Sequence, residues 1–153
     1  MNNTIFIDAD ACPVKEEIYR VARRVGMSVF VVANSFMRVP QETHIKLIVV
    51  DSGPDVADDW IAERAQAGDV VVTNDIPLAA RSLEKQAEVL GANGKPFTTA
   101  SIGAALAQRE LMEHLRSFGE GGGGPKPFSA ADRSRFLSAL DAAVTRAKRK
   151  RPA

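Results

Sequence analysis

The sequence has little of what membrane-spanning, secreted and zinc-finger proteins require. It contains one cysteine among 153 residues, so it can form neither an internal disulfide nor a cysteine-rich zinc site. The longest apolar runs, residues 29–33 and 47–50, are far shorter than the roughly 20 residues that cross a bilayer. Residues 1–8 lack the basic segment and the small residues of a secretory signal. We therefore expect a cytoplasmic protein that has no membrane partner.

The composition is that of one globular domain with an uneven distribution of charge. Apolar residues make up 45% of the chain and charged residues 25%. Residues 129–153 hold seven basic and two acidic side chains, a net charge of +5, which leaves −4 for residues 1–128 because the whole chain carries +1. A basic segment can attract anions. We expect residues 148–151 to form a solvated end rather than a nucleic-acid-binding arm.

Buried strands alternate with helices along the first part of the chain. Runs of β-forming residues predict strands at residues 4–8, 28–33, 46–50 and 69–73, with a possible edge strand at residues 95–98. Prolines predict the helix starts, and the helices are expected at residues 13–26, 54–67 and 77–90. This alternation predicts an α/β fold in which helices cover both faces of a mainly parallel sheet of four to five strands.

The C-terminal part of the chain is expected to add two more helices. One helix is predicted at residues 101–116, and a glycine- and proline-rich linker is predicted at residues 119–128. Ser129 and Asp132 then resemble a capping box that opens a last helix with an apolar stripe. The predicted organisation is a domain at residues 1–118, the linker, and a packed C-terminal helix with a basic tail at residues 129–153.

Aspartates cluster after the predicted strands. The carboxyl ends of parallel strands meet at one edge of a sheet, so these acids are expected to converge there. Helical periodicity favours Asp58 over Asp59 as the acid that leans toward the sheet, and Asp55 is expected either to cap the second helix or to stabilise its positive end. The acids concerned are Asp8, Asp10, Asp51, Asp55, Asp58, Asp59 and Asp75.

A divalent cation would resolve the repulsion between converging carboxylates. Without cationic neighbours, such acids repel one another and their pKa values rise. Oxygen ligands suit Mg²⁺ or Mn²⁺, and such ions assist phosphodiester hydrolysis. The alternative is a purely structural role, in which Asp10 and Asp75 only cap helices. We expect catalysis and metal binding by Asp8, Asp10, Asp58 and Asp75, with Asp59 as an alternate metal ligand.

Other kinds of chemistry fit the sequence less well. A cysteine phosphatase needs an arginine six positions after its nucleophile, but Ile18 stands there after Cys12, which is therefore expected to be a packed residue. The glycine run lacks the Gly-Lys-Ser/Thr ending of a P-loop. Asp8-Ala-Asp10 also resembles the opening motif of haloacid-dehalogenase-type phosphatases, with Asp8 as nucleophile. That alternative ranks second because the one adjacent pair of aspartates, residues 58–59, precedes Asp75.

Four motifs make the sequence resemble the bacterial YaiI/YqxD family, which has no established biochemical role. They are IDADACPVK at residues 7–15, ADDWI at residues 57–61, VTNDIPLA at residues 72–79 and GGPKPFS at residues 123–129. Members of this family are similar to PIN-like domains, which implies a three-layer α/β/α sandwich and a Mg²⁺- or Mn²⁺-dependent ribonuclease.

The resemblance to PIN-like nucleases also implies roles for particular acids. Asp8 or Asp10 matches the acid of strand one, Asp58 or Asp59 the helix acid, and Asp75 the acid of the T-x-D motif. Many PIN nucleases have a fourth acid after a fifth strand. Residues 95–101, which follow in this sequence, contain no carboxylate.

The leading hypothesis from the sequence is therefore a protein that binds a divalent metal and hydrolyses RNA. Lys15, near the start of the first helix, is expected to receive a phosphate. Asn34, Ser35 and Asn74 are expected to orient substrate or water. A non-catalytic RNA-binding module of the same fold is the alternative, and the oligomeric state stays open. Few aromatic residues besides Phe36 offer base-stacking surfaces, so a specialist for single-stranded RNA is not indicated.

Overall fold

One mixed sheet of six strands forms the centre of the protein. The computed structural model describes residues 3–10, 12–117 and 128–151. The strands are β1 (Thr4–Asp8), β2 (Ser28–Ala33), β3 (Ile45–Val49), β4 (Val70–Val72), β5 (Glu88–Leu90) and β6 (Pro96–Phe97). Their order is β3-β2-β1-β4-β5-β6, and only β6 runs antiparallel to its neighbour. The α/β prediction is confirmed, but the sheet has six strands rather than four to five.

The helices are shorter than predicted in the first part of the chain. They are α1 (Lys15–Val25), α2 (Val56–Arg64), α3 (Ile76–Glu84), α4 (Thr99–Ser117) and α5 (Ala130–Lys150). Pro13 and Pro54 lie before the first hydrogen-bonded turn instead of inside it. Gly26 ends α1 in the left-handed conformation with φ +74°. Within the described ranges, none of these helices combines the length and apolarity that a membrane crossing needs.

The sequence prediction missed β5. It extended the third helix to residue 90, but α3 ends at Glu84 and Gln86 adopts a φ of +68°. The chain then enters β5, where Val89 pairs with Val71 of β4. No glycine or proline separates the two elements, so the local sequence gives no stop signal, and pairing with β4 decides the conformation.

Helices cover both faces of the sheet, as three layers require. Successive strand residues point to opposite faces. Ile5 and Ile7 belong to the buried cluster that includes α1 and α5, whereas Phe6 belongs to the cluster that includes α2 and α3. α4 packs against α3. The sheet is therefore buried on both sides, which explains its continuous apolar strands.

The last helix is part of the core. The predicted capping box is present, since the Ser129 hydroxyl accepts a hydrogen bond from the Asp132 N–H and the Asp132 carboxylate accepts one from the Ser129 N–H. Phe136 and Leu140 are fully buried in the cluster that includes α1. The predicted linker lies outside the described residues except for Phe128. The division into domain, linker and C-terminal segment stays a prediction.

The basic end of α5 is docked, which corrects the expectation of a solvated end. Arg146 and Lys150 both form ion pairs with Glu88 of β5, at 2.6 and 2.5 Å. Arg151 pairs with the buried Asp69 at 2.6 Å. Lys148 donates to the carbonyl of Val25 at the end of α1. Most of this positive charge is therefore matched by partners inside the protein.

Candidate functional site

The order of the strands places a crevice between β1 and β4. From β1 the chain continues through α1 to β2 on one side, whereas β4 lies on the other side of β1. α1 and α2 lie on opposite faces of the sheet. In open α/β sheets, ligands bind at the carboxyl ends of the strands at such a switch point. Asp8 ends β1 there, and Asp75 follows β4 closely.

A cavity of about 200 Å³ opens at this switch point. We call it the acidic cavity. It brings together five of the predicted site residues, which come from the end of β1, the end of β2, the first turn of α2 and the start of α3. It is lined by Asp8, Asp10, Asn34, Gly53, Asp55, Ala57, Asp58 and Asp75. Acids from separate parts of the sequence therefore line one cavity, and a functional aspartate cluster there stays a prediction.

Thr73 links two of the acids and was not singled out from the sequence. Its buried hydroxyl donates to Oδ2 of Asp8 at 2.8 Å and accepts the backbone N–H of Asp75 at 2.9 Å. The hydroxyl thus fixes the Asp8 carboxylate relative to the loop that carries Asp75. Its position directly after a buried strand, two residues before an aspartate, was the available signal.

The expected capping roles hold for Asp75 but not for Asp10 or Asp55. Oδ1 of Asp75 accepts the N–H of Leu78 at 2.8 Å, so Asp75 caps α3 and also lines the acidic cavity. Val14, not Asp10, occupies the N-cap position of α1. Asp55 occupies the N-cap position of α2 with φ +68°, but its side chain makes no capping hydrogen bond. Asp10 and Asp55 therefore line the cavity without serving as side-chain caps of α1 or α2.

Burial and mutual repulsion raise the pKa values of two aspartates in the acidic cavity, Asp58 and Asp8. Burial, the charges of Asp75 and Asp8, and a hydrogen bond to Asp75 together raise the pKa of Asp58 to about 7. Burial also raises the pKa of Asp8, against the opposing hydrogen bond from Thr73. Among the described residues, no lysine or arginine forms an ion pair with any of these acids.

Asn34 adds an unpartnered oxygen to the acidic cavity. It follows β2 and lines the cavity, and its Oδ1 is buried. No donor in the described part of the chain forms a hydrogen bond with this oxygen. A buried acceptor without a donor costs free energy, so a ligand that supplies a donor or a cation there would be favoured.

Several predicted residues lie outside the acidic cavity. Asp59 is exposed and forms an ion pair of 2.6 Å with Arg81. Ser35 and Asp51 are exposed and do not line it. Nζ of Lys15 donates to the carbonyl of Cys12 at 2.8 Å.

A second, smaller cavity of about 10 Å³ lies beside the acidic cavity and shares Asp8 and Asp10 with it. That volume is about the room that one water molecule needs. Asn74 lines this cavity, and its Oδ1 accepts the N–H of Ala92 at 2.9 Å. Burial raises the pKa of the Cys12 thiol, which also lines it. Cys12 belongs to the core cluster, in keeping with the packing role expected from the sequence.

The position of a fourth acid needs a correction. The fifth strand is β5, not the segment at residues 95–98, so the residues to inspect are 91–95. They read Gly-Ala-Asn-Gly-Lys and contain no carboxylate. In addition, no group of three or more His, Cys, Asp or Glu side chains in the described ranges is arranged so that it could hold a metal ion.

The fold and the site define the chain as a three-layer α/β protein with an acidic cavity at the switch point of its sheet. The chain belongs to the YaiI/YqxD family: the profile described as "Uncharacterized BCR, YaiI/YqxD family" matches residues 6–146.

Similar bacterial proteins carry the name "UPF0178 protein". One from Caulobacter sp. (strain K31) is 61% identical over 145 residues, which is 95% of this chain and 96% of that protein. One from Azorhizobium caulinodans is 60% identical over 146 residues, which is 95% of this chain and 92% of that protein. No solved structure matches the chain.

Proposed function

We propose that this protein is a divalent-metal-dependent nuclease that hydrolyses RNA phosphodiester bonds at the acidic cavity. The observation that carries the proposal is the meeting of Asp8, Asp58 and Asp75 at the switch point, from three distant parts of the sequence. Burial and the charges of Asp75 and Asp8 raise the pKa of Asp58 there, and no lysine or arginine among the described residues forms an ion pair with Asp58 or Asp75. A cation can take the place of the proton that Asp58 binds.

The chemistry of the donor atoms fits Mg²⁺ or Mn²⁺. Carboxylates of Asp8, Asp10, Asp58 and Asp75 and the unpartnered oxygen of Asn34 are all hard oxygen ligands. Zinc prefers nitrogen and sulfur. Because no three acids in the part of the chain that the structure describes already form a ligand cluster, binding would require their side chains to turn toward one another. Bound there, the metal would neutralise the carboxylates and stabilise charge on the phosphoryl group.

The residues around the acids have separate tasks in this proposal. Thr73 holds the Asp8 carboxylate through its hydroxyl and so limits the directions that this acid can take. Asp75 is held by the first turn of α3, where it accepts the Leu78 N–H. Asp10 is exposed at the rim and is free to accept a proton from attacking water. Lys15, at the start of α1, donates to the Cys12 carbonyl and would have to leave that bond to neutralise substrate phosphate.

The test uses two adjacent aspartates as a matched pair. The protein is incubated with end-labelled single-stranded and hairpin RNAs in Mg²⁺ or Mn²⁺. Asp58→Asn should reduce the cleavage rate by about a hundredfold or more, as the loss of one charge-stabilising group does in other enzymes. Asp59 lies outside the cavity and pairs with Arg81, so Asp59→Asn should cleave RNA at the wild-type rate. Equal cleavage by both variants, or no cleavage by metal-loaded wild type, would refute the proposal.

A second function is favoured by two observations. No three acids in the described ranges form a ready metal site, and residues 91–95 supply no fourth acid. A non-catalytic RNA-binding module would retain the fold and need no metal. It predicts RNA binding that is equally strong in EDTA and in Mn²⁺, without cleavage in either buffer.

A further inference from the structure

A long groove runs along the outer edge of the sheet. It has a volume of about 680 Å³ and is lined by residues 36–43 and 45–48. We call it the edge groove. β3 forms one wall, and β3 is the outermost strand, bonded only to β2. The loop between β2 and β3 forms the other wall. The groove and the acidic cavity share no lining residue.

Phe36 is the most exposed large apolar side chain among the described residues. Its exposed fraction is 81%, against 52% for Val49. The neighbouring Met37 and Val39 pack against the core, so the loop is anchored while the Phe36 ring stays in solvent. An anchored, exposed aromatic ring offers a face on which a nucleic-acid base can stack.

The charges of the edge groove favour a polyanion. Arg38 and Lys46 are exposed, and neither side chain has an ion pair or a hydrogen bond within the described ranges. The acid that lines the groove is Glu42, and Arg23 neutralises it through three hydrogen bonds, two of 2.9 Å and one of 2.5 Å. The groove therefore carries unmatched positive charge, whereas the basic residues of α5 are largely matched.

The edge groove is continuous with the acidic cavity along the backbone. Asn34 lines the acidic cavity and Phe36 lines the groove. Two residues span at most about 7 Å of chain. A strand of nucleic acid with one phosphodiester at the acids would therefore have its next nucleotides beside Phe36.

We propose that the edge groove binds single-stranded RNA next to the bond that is cleaved. A base stacks on Phe36, and phosphates contact Arg38 and Lys46. The inference rests on the proposed function, because it assigns the groove as the path by which the substrate reaches the acidic cavity. It also changes the expectation, drawn from the small number of aromatic residues, that the protein is not specialised for single-stranded RNA. One aromatic residue, Phe36, is exposed in the edge groove.

A second copy of the chain is the competing occupant, since β3 has an unpaired edge. Lys46, the second residue of β3, opposes that interpretation, because lysines on edge strands discourage pairing with another strand. The charge of the groove also favours phosphate over a like-charged copy.

The test measures binding of a fluorescently labelled 12-nucleotide oligo(A) RNA by anisotropy, in EDTA, at several salt concentrations. Phe36→Ala should weaken binding about fivefold or more, as the loss of one base stack does. Arg38→Ala and Lys46→Ala should each lower the slope of log K against log salt by about 0.7, the value for one phosphate contact with a single strand.

Matched controls come from exposed residues outside the groove. Val49→Ala removes another exposed apolar side chain. Arg149→Ala removes an exposed cation near the C-terminal end of α5. Both should bind like the wild type. If Phe36→Ala and Val49→Ala bind equally well, the inference is wrong. It is also wrong if light scattering shows a dimer that Phe36→Ala dissociates while RNA affinity stays the same.

Measuring RNA binding in EDTA, without a divalent metal, separates this inference from the proposed function. Phe36-dependent binding in EDTA, without cleavage in Mn²⁺, supports the groove and refutes the nuclease. Cleavage in Mn²⁺ that Phe36→Ala leaves unchanged, together with unchanged binding, supports the nuclease and refutes the groove.

Discussion

Thr73 donates a hydrogen bond of 2.8 Å to Asp8, although the two residues lie 65 positions apart in the sequence. They meet because β1 and β4 are neighbours and both end at the same edge of the sheet. The same hydroxyl accepts the backbone N–H of Asp75. One buried side chain therefore fixes the relative positions of two acids that the proposed function requires.

Thr73→Val should destabilise the protein and loosen the acidic cavity. The methyl group keeps the shape, but the Asp75 N–H loses its acceptor and Asp8 loses its donor. Leaving such a buried group unpaired costs about 1–3 kcal/mol. Urea unfolding followed by circular dichroism measures the change, and Thr73→Ser, which retains the hydroxyl, should recover most of it. Equal stability of the valine variant and the wild type would show that the bond contributes nothing.

Asp58 should make stability depend on pH. Its pKa is raised to about 7 in the folded protein, because of burial first and then the charges of Asp75 and Asp8. The folded state therefore binds a proton more tightly than the unfolded state does. The free energy of unfolding should then fall as the pH rises from about 4 through about 7. Thermal unfolding in EDTA at a series of pH values would measure this fall.

Two variants isolate the contribution of Asp58 to that pH dependence. Asp58→Asn cannot titrate, so its stability should fall less than that of the wild type over the same range. Some dependence should persist because burial also raises the pKa of Asp8. Asp59→Asn should follow the wild-type curve, since Asp59 is exposed and paired with Arg81. Parallel curves for wild type and Asp58→Asn would mean that Asp58 does not hold the proton.

Gly68 should tolerate alanine far less well than Gly26. Both have positive φ, +98° and +74°, which costs any L-residue about 1–2 kcal/mol. A Cβ at Gly26 meets nothing within 4 Å, but a Cβ at Gly68 would lie 2.4 Å from Cβ of Arg151 and 3.0 Å from Nδ2 of Asn3. Asn3 bonds both the Gly68 and Arg151 carbonyls. Melting temperatures of the two alanine variants test this, and equal values would contradict it.

The strands and helices that the sequence predicted well are those with strong local signals. Runs of β-branched residues indicate β1 to β4, and Ser129 with Asp132 indicates the start of α5. β5 has three residues and follows α3 without a glycine or proline, so only its pairing with β4 distinguishes it from helix. Short elements of this kind depend on tertiary contacts that one sequence does not display.

The candidate site shows the same division. Because the carboxyl ends of parallel strands meet at one edge of a sheet, the sequence could predict that Asp8, Asp58 and Asp75 line the same cavity. Helical periodicity predicted that Asp58, and not Asp59, faces it. The partners of the basic C-terminal residues were not predictable in this way. Arg146 lies 58 positions from its partner Glu88, and Arg151 lies 82 positions from its partner Asp69. Composition therefore shows that the segment is basic but not which acids pair with it.

Titration calorimetry with Mn²⁺ tests the central claim most directly, since it needs no knowledge of the substrate. The wild type should bind the ion, and Asp8→Asn and Asp75→Asn should lose most of the affinity. Asparagine can still cap α3, so the Asp75 variant should stay folded. Asp59→Asn should bind like the wild type. Wild-type protein that binds no Mn²⁺, or folded Asp8 and Asp75 variants that bind it unchanged, would contradict a carboxylate metal site at this edge of the sheet.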